Sequence, residues 1–209
     1  MTKYEDFRDT LDLYFKSKGI KFKFESTLHD SSKNTDQNRY LYNGKKDLSV
    51  ISLDLVAQKG YKKLKRVPDG EGHNSVNTPD AFLIDSNNEW FFVEFKDCGI
   101  STKKDNIEKK GLTNWLMLMD IILDMDENDR SRIVGISNLM KFAREHISYI
   151  LVFNGEKDSH AYEQVKNNSL INGHYTPCCL YKFKDYFFKD AYAYTEEYFE
   201  REFANRFRY

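Results

Sequence analysis

The sequence predicts an α/β domain in which a mixed central β-sheet is flanked by helices. Two short apolar runs, 81–84 and 90–96, are separated by turn-forming residues and predict a β-hairpin. A helical apolar pattern begins at Asp105, and residues 147–153 have the continuous apolar character of a buried strand. Strands interleaved with helices favour a layered α/β fold over an all-α or all-β fold.

Length and composition bound the domain organisation. The 209 residues, 40% of them hydrophobic, suffice for a single core, so we expect one structural domain overall. Within it we distinguish an N-terminal helix and polar loop arm, residues 1–46, from the main domain, residues 47–209. The 32 basic and 33 acidic residues almost cancel, so attraction to a polyanion has to come from local clusters.

The sequence predicts a cytoplasmic protein without a membrane partner. It contains no apolar run of about 18 residues and no signal-peptide pattern. Cys98, Cys178 and Cys179 lack the spacing of a zinc site or a disulfide framework, so we expect reduced thiols.

The N-terminal segment predicts a short amphipathic helix. Thr2 and Glu5 have the spacing of a capping box, and apolar side chains recur on one helical face at Tyr4, Phe7, Leu11 and Tyr14. Residues 27–47 are mostly polar and predict an exposed loop.

Residues 47–61 are compatible with two secondary structures. They suit a helix capped at Asp47 or, by the alternation of Leu48, Val50 and Leu53, a strand; the helix is favoured. One strand of the predicted sheet is not evident, and it is expected either within 48–55 or within 61–77.

The predicted hairpin at 81–96 brings charged residues together. Alternation along the second strand points Trp90, Phe92, Glu94 and Lys96 to one face, so two charges interrupt an otherwise apolar surface. Asp80 precedes the first strand and is expected near Glu94 and Lys96.

The residues Pro79-Asp80 and Glu94-Phe95-Lys96 resemble the signature of the PD-(D/E)XK nuclease superfamily. The resemblance covers about 20 residues and implies a restriction-endonuclease-like core in residues 47–209. It also implies that Asp80 and Glu94, with the main-chain carbonyl of Phe95, bind Mg²⁺ or Mn²⁺. Lys96 is then the catalytic lysine, and the three catalytic residues are Asp80, Glu94 and Lys96. The alternative for Glu94 and Lys96 is an ordinary solvated strand face.

Further candidates surround this motif. Asp54 and Glu71 are candidate additional acids, with a solvent-facing helix residue and a turn residue as the respective alternatives. Lys103, Lys104 and Lys109 follow the motif and are candidate phosphate contacts. The alternative is that these lysines belong to a solvated face. For Lys109, a surface position with the aliphatic stem along the protein and the ammonium in water is a further alternative.

The remainder of the chain predicts more helices and strands. The helix from Asp105 has a predicted apolar stripe of Leu112, Trp115, Leu116, Met119, Ile122 and Leu123, followed by an acidic loop at 124–129. A helix is expected at 137–146 with Leu139, Phe142 and Ala143 inward, then the strand at 147–153, a strand at 180–183 and a final helix at 189–206. The aromatic residues of the last thirty positions favour core packing over base stacking or a protein partner.

Other common chemistries lack their motifs. The five histidines show no metal-binding pair, and no nucleophile elbow or phosphate-binding glycine loop is present. The resemblance to PD-(D/E)XK nucleases thus implies a magnesium-dependent nuclease acting on DNA, which as a double-strand cutter would form a homodimer. The alternative is a non-catalytic member of the same fold that binds nucleic acid or protein.

Overall fold

The computed structural model describes residues 2–34, 37–68, 76, 78–100, 104–135, 138–171 and 174–207. The α-helices in these residues are α1 Lys3–Ser17, α2 Leu28–Ser31, α3 Leu53–Leu55, α4 Lys62–Leu64, α5 Lys104–Asp124, α6 Glu127–Val134, α7 Leu139–His146, α8 Ser159–Ile171 and α9 Glu196–Glu202. The strands are β1 Glu25–Thr27, β2 Lys33–Asn34, β3 Arg39–Tyr40, β4 Ser49–Ile51, β5 Ala81–Ile84, β6 Trp90–Lys96, β7 Ile147–Phe153 and β8 Asp190–Thr195. Turns of π-helix cover Val56–Tyr61 and Phe183–Phe187, and 3₁₀ turns cover Gly155–Lys157, Cys178–Leu180 and Ala204–Arg206.

Within the described residues, the strands form a six-stranded mixed sheet and a separate two-stranded ribbon. The large sheet has the order β1-β4-β5-β6-β7-β8, and β2 pairs with β3 in the ribbon. Pairing is antiparallel from β1 to β6, whereas β6–β7 and β7–β8 are parallel. The predicted mixed sheet flanked by helices is therefore confirmed at the level of the α/β class.

The central strands β6 and β7 are apolar along almost their whole length because both sheet faces are covered. On one face Trp90 packs against Phe7 of α1 and Phe142 of α7. On the opposite face Phe91 packs against Phe203, which follows α9. The predicted alternation of β6 and the predicted hairpin with β5 are both confirmed.

The N-terminal helix forms as predicted. Thr2 and Glu5 make the reciprocal bonds of a capping box, and the predicted face of α1 is buried. The next segment differs from its prediction. Residues 27–47 are not simply an exposed loop, because Leu28, Leu41 and Tyr42 lie in the core. These few apolar side chains fix a segment whose composition is otherwise polar.

Residues 47–61 contain both a strand and a helical segment, the two alternatives for this part of the sequence. Ser49–Ile51 is the strand β4, which supplies the strand missing from the prediction, and Leu53–Leu55 begins a helical segment. Ser52 separates the two and accepts a hydrogen bond from the N–H of Leu55, which caps the helix. The favoured prediction of one continuous helix was therefore wrong for the first part.

Four predictions in the second half need correction. The buried face of α5 consists of Ile107, Gly111, Asn114, Trp115, Met117, Leu118, Ile121 and Ile122, while Leu116 and Leu123 are exposed. Residues 180–183 form helical turns instead of a strand, and the predicted final helix contains the strand Asp190–Thr195. The acidic segment after α5 is partly helical, because Asp126 caps α6.

Other expectations are confirmed. The helix α7 has Leu139, Phe142 and Ala143 buried, and every residue of β7 is buried. Most C-terminal aromatics belong to the core, with Tyr181 and Tyr186 exposed. The three cysteines are free thiols. No helix in the described part of the chain is long and apolar enough to cross a membrane.

Candidate active site

The hairpin of β5 and β6 brings Asp80 beside Glu94 and Phe95. The N–H of Asp80 donates to the carbonyl of Val93 at 3.0 Å, which extends the strand pairing by one residue. Its carboxylate atom Oδ2 accepts a hydrogen bond from the N–H of Phe95 at 2.7 Å. Backbone contacts on two sides therefore fix this carboxylate at the start of β5.

Glu94 lies in the middle of the sheet with a side chain that is 0% exposed. Its Oε1 atom forms an ion pair with Lys96, which lies two residues further on the same face of β6. The Lys110 ammonium from α5 lies 2.8 Å from Oε1 and 3.0 Å from Oε2 of Glu94. A carboxylate without water requires such partners, since an isolated buried charge costs several kcal/mol.

Lys110 also reaches Asp80, with 3.5 Å between its Nζ and Oδ1 of Asp80. Its ammonium therefore lies between the two carboxylates. The close approach of α5 to β7 depends on Gly111, because a Cβ at this position would lie 2.6 Å from the Phe183 ring and 3.3 Å from the Tyr149 ring. Glycine at position 111 allows the helix to bring Lys110 over the sheet.

The surroundings of Asp80 and Lys110 shift the pKa of both side chains. Burial raises the pKa of Asp80 to about 7, and the nearby Glu94 charge contributes in the same direction. Burial lowers the pKa of Lys110, but the Glu94 and Asp80 carboxylates outweigh this effect and the net pKa is raised. Lys110 is therefore a cation at neutral pH, while Asp80 titrates near neutrality.

The carboxylate oxygens of Asp80 and Glu94 suit a small divalent cation, provided that the Lys110 ammonium moves away. Asp80 and Glu94 supply hard oxygens, and Mg²⁺ keeps several waters where a protein supplies few ligands. Among the described residues, no group of three or more His, Cys, Asp or Glu side chains is arranged to hold a metal ion. Because Lys110 occupies the space between the two carboxylates, a metal can bind here only when this ammonium moves away.

Comparisons with protein families, curated proteins and solved structures found no significant match to this chain. The resemblance to PD-(D/E)XK nucleases therefore depends on the site residues themselves.

Buried polar atoms without partners lie on the elements that form the site. The hydroxyl of Tyr149 and both amide atoms of Asn114 make no hydrogen bond to any described residue, although each residue is 0% exposed. Thr78 has a similarly unpaired hydroxyl two residues before Asp80. The Tyr149 pKa is raised well above its usual value by burial and by the charges of Glu94 and Asp80. The face of the sheet around Glu94 thus has unused hydrogen-bonding capacity.

The other predicted site residues have different positions. Asp54 is exposed on α3, and no ion pair or hydrogen bond within the described residues joins it to Asp80 or Glu94. Lys104 and Lys109 are exposed on the first turns of α5 and are open to solvent. Glu71 and Lys103 lie outside the described residues.

Lys110 is the main site residue that the sequence prediction missed. The predicted register of α5 directed Lys109 toward the end of β6, whereas the structure directs Lys110 there. Gly111 and Asn114 occupy the buried face, and neither residue type gives a hydrophobic signal. The spacing of Ile107, Gly111, Asn114 and Leu118 is the signal that identifies the correct face.

A second polar cluster, centred on Asp97, lies at the end of β6. The Asp97 side chain is 2% exposed and accepts hydrogen bonds from Arg39 at 2.6 Å, Asn154 at 2.7 Å and Lys157 at 3.1 Å. These contacts attach the β2–β3 ribbon to the ends of β6 and β7. Asp97 and Asn154 each follow a strand of a parallel pair, which places them at the same sheet edge.

Proposed function

We propose that this protein is a metal-dependent phosphodiesterase of the PD-(D/E)XK type that hydrolyses nucleic acid, with DNA as the expected substrate. The observation that carries the proposal is the convergence of Asp80, Glu94 and Lys96 at one point of the sheet, where Glu94 is fully buried. Buried acids and lysines are rare unless they are paired or have a function.

The residues have distinct roles in this proposal. Asp80 and Glu94, with the main chain of Phe95, would hold Mg²⁺ or Mn²⁺, which lowers the pKa of a bound water and stabilises negative charge on a phosphate. Lys96, with a side chain 17% exposed, is accessible enough to meet a phosphate oxygen and to orient the attacking water. Lys110 has to leave the space between the carboxylates, and its freed ammonium would then be available to the phosphate.

The route of the nucleic acid to the site is part of the proposal. Lys104 and Lys109 are exposed on α5, the helix that also carries Lys110, so they are available for phosphate contacts. A net charge of −1 predicts that such contacts are few, and therefore that affinity for nucleic acid is modest and depends only weakly on salt.

A non-catalytic role of the same fold is the second candidate. It is favoured by the charge balance of the site, because the Asp80 and Glu94 carboxylates already face the Lys96 and Lys110 ammonium groups. Such a set of ion pairs is complete without a metal. In this case the protein binds nucleic acid or another protein, and Glu94 is a structural residue.

Metal titration and a cleavage assay separate the two candidates. We expect Mn²⁺ or Mg²⁺ to bind the wild type and not Asp80→Ala or Glu94→Ala, and labelled DNA to be cut only with metal. Lys96→Ala should lower the cleavage rate on the order of 100-fold, because it removes a charge that stabilises the transition state. Lys141→Ala, an exposed lysine on α7 with no place in the proposed site, is the matched control.

The contrary result is equally specific. A folded wild type that binds no metal and cuts neither DNA nor RNA supports the non-catalytic role. Binding of a partner that is unchanged in Lys96→Ala would support the same role.

A further inference from the structure

Helix α5 carries a second apolar stripe on the face that points away from the sheet. The stripe consists of Leu112, Leu116, Met119 and Leu123. Leu116 and Leu123 are 56% and 53% exposed, whereas Leu112 and Met119 are half-buried against the core. The buried face of α5 is formed by a different set of side chains. The helix is therefore apolar on two faces, and only one of them is covered by the sheet.

The spacing of the stripe is that of a seam between two helices. Successive members are four, three and four residues apart, so they occupy the a and d positions of consecutive heptads. A narrow stripe at this spacing packs against a single partner helix. A helix with apolar side chains on two faces normally has both faces covered. The pattern therefore indicates that a second helix packs on the outer face of α5.

Polar groups border the stripe on both sides. Asp120 forms an ion pair with Lys65 at 2.5 Å on one side, and Glu108 forms one with Lys182 at 3.8 Å on the other. An apolar centre with a polar rim is the usual anatomy of a protein–protein interface. Because these four charges are already paired within the chain, they add little repulsion to such a contact.

The charges adjacent to the two ends of the stripe differ in sign. Lys109 is exposed one turn before Leu112, whereas Asp124 and Asp126 are exposed just after Leu123. Two copies with antiparallel α5 helices place each Lys109 beside the acidic end of the other copy. A parallel pair would place like charges together instead. The face is therefore complementary to itself in one orientation, as a two-fold symmetric dimer requires.

We propose that α5 is a homodimer interface, in which the stripe packs against the same stripe of a second copy with the two helices antiparallel. Leu112 then lies opposite Leu123 of the second copy, and Leu116 lies opposite Met119. Four side chains per copy form a small seam, since stable interfaces bury about 800 Å² per partner. We therefore expect a weak dimer, with a Kd on the order of 100 µM. Because Lys109 is also a candidate phosphate contact, the second copy and nucleic acid would compete for it.

Sedimentation equilibrium of the full-length protein without metal or nucleic acid, from about 10 µM to about 500 µM, tests the proposal. We expect a reversible monomer–dimer equilibrium for the wild type. Leu116→Glu should weaken the dimer on the order of 100-fold and so be monomeric throughout, because two-fold symmetry places both new carboxylates in one apolar seam. Leu123→Glu should act in the same direction. Thermal melts of each variant establish that the fold is intact.

Leu170→Glu is the matched control, because Leu170 is 82% exposed on α8 and lies outside the stripe. It should leave the Kd of the dimer unchanged. Lys109→Glu tests the orientation of the two helices. It should weaken an antiparallel dimer severalfold, since the new carboxylate meets the acidic end of the other copy, whereas it would strengthen a parallel dimer.

The proposal is overturned if the wild type remains a monomer, in which case a different protein is left as the occupant of the stripe. It is also overturned if Leu116→Glu dimerises like the wild type, if Leu170→Glu weakens the dimer equally, or if Lys109→Glu tightens it. None of these results depends on catalysis, so the proposed nuclease activity keeps its own separate test.

Discussion

The Lys110 ammonium lies 2.8 Å and 3.0 Å from the two carboxylate oxygens of Glu94. Glu94 is fully buried, so this contact supplies much of the compensation for removing its charge from water. The same ammonium is 3.5 Å from Asp80. Lys110 therefore occupies the position between two carboxylates that a divalent ion requires, and the lysine and the metal must compete.

Replacing Lys110 should increase metal affinity at the expense of stability. In Lys110→Met the space between Asp80 and Glu94 loses its cation, and the metal-free protein should lose about 3 kcal/mol because Glu94 has lost one of its partners. Mn²⁺ at about 100 times its Kd should restore about 2.7 kcal/mol through mass action. Urea unfolding with and without Mn²⁺ measures both effects.

The exposed neighbour Lys109 provides the control for this experiment. Lys109→Met should leave both stability and Mn²⁺ affinity within error of the wild type, since its side chain is directed to solvent. If Lys110→Met binds Mn²⁺ no more tightly than the wild type, the inference that Lys110 and the metal compete for one position is wrong.

Asp80 should make the stability of the protein depend on pH in a characteristic direction. Burial and the Glu94 charge raise its pKa to about 7 in the folded protein, while the unfolded chain has a value near 3.9. Between these values the folded protein holds a proton that unfolding releases, so the contribution of Asp80 to stability falls as the pH rises from about 4 to about 7. Asp80→Asn has no such titration.

Urea unfolding of both proteins across this pH range provides the measurement. We expect Asp80→Asn to gain stability relative to the wild type as the pH rises, with a constant difference above about pH 7. Subtracting the two free energies of unfolding at each pH removes the contribution of the titrating groups that the two proteins share. A constant difference across the whole range would show that Asp80 has an ordinary pKa.

Local patterns were sufficient to predict the central part of the fold. The hairpin 81–96 and the strand 147–153 have strong signals because β6 and β7 are covered on both faces. Residues 190–195 were assigned to a helix instead. Their alternation of alanine and tyrosine suits a strand, but the acidic, helix-forming residues that follow obscured it. Short strands such as Ser49–Ile51 depend on pairing with distant strands, which no local pattern contains.

The candidate site was predicted only as far as it lies on one hairpin. Asp80, Glu94 and Lys96 are close in sequence, so alternation and turn chemistry were enough to bring them together. Lys110 and the Asp97 cluster depend on how helix α5 and the β2–β3 ribbon pack on the sheet. That packing is decided by features with little sequence signal, such as the space provided by Gly111.

Asp97 should be important for stability at neutral pH. Burial raises its pKa, but hydrogen bonds from Asn154, Lys157 and Arg39 outweigh this effect, and the net pKa is lowered. Asp97→Asn should therefore cost about 1.5 kcal/mol at pH 7, since it weakens hydrogen bonds from Arg39 and Lys157, whose side chains are 47% and 38% exposed and stay solvated. The stabilisation is present above the unfolded pKa and is lost as the pH falls through the folded pKa, so the two proteins should converge below about pH 4.

Chemical unfolding at neutral and acidic pH measures this difference. Asp54→Asn is the control, because Asp54 is exposed and should change stability by less than about 0.5 kcal/mol. If the stability loss in Asp97→Asn is the same at acidic pH as at neutral pH, the shape of the Asp97 side chain, and not its charge, determines its role.

Tyr149 and Tyr14 should respond in opposite ways to removal of the hydroxyl. The Tyr149 hydroxyl is buried without a hydrogen bond to any described residue, so Tyr149→Phe relieves a desolvation cost and should stabilise the protein by about 1 kcal/mol. The Tyr14 hydroxyl donates to Asp124 at 2.8 Å, so Tyr14→Phe should destabilise by about 1 kcal/mol. Urea unfolding of both variants without metal is the measurement. Destabilisation by Tyr149→Phe would mean that its hydroxyl has a partner beside Glu94, such as an ordered water.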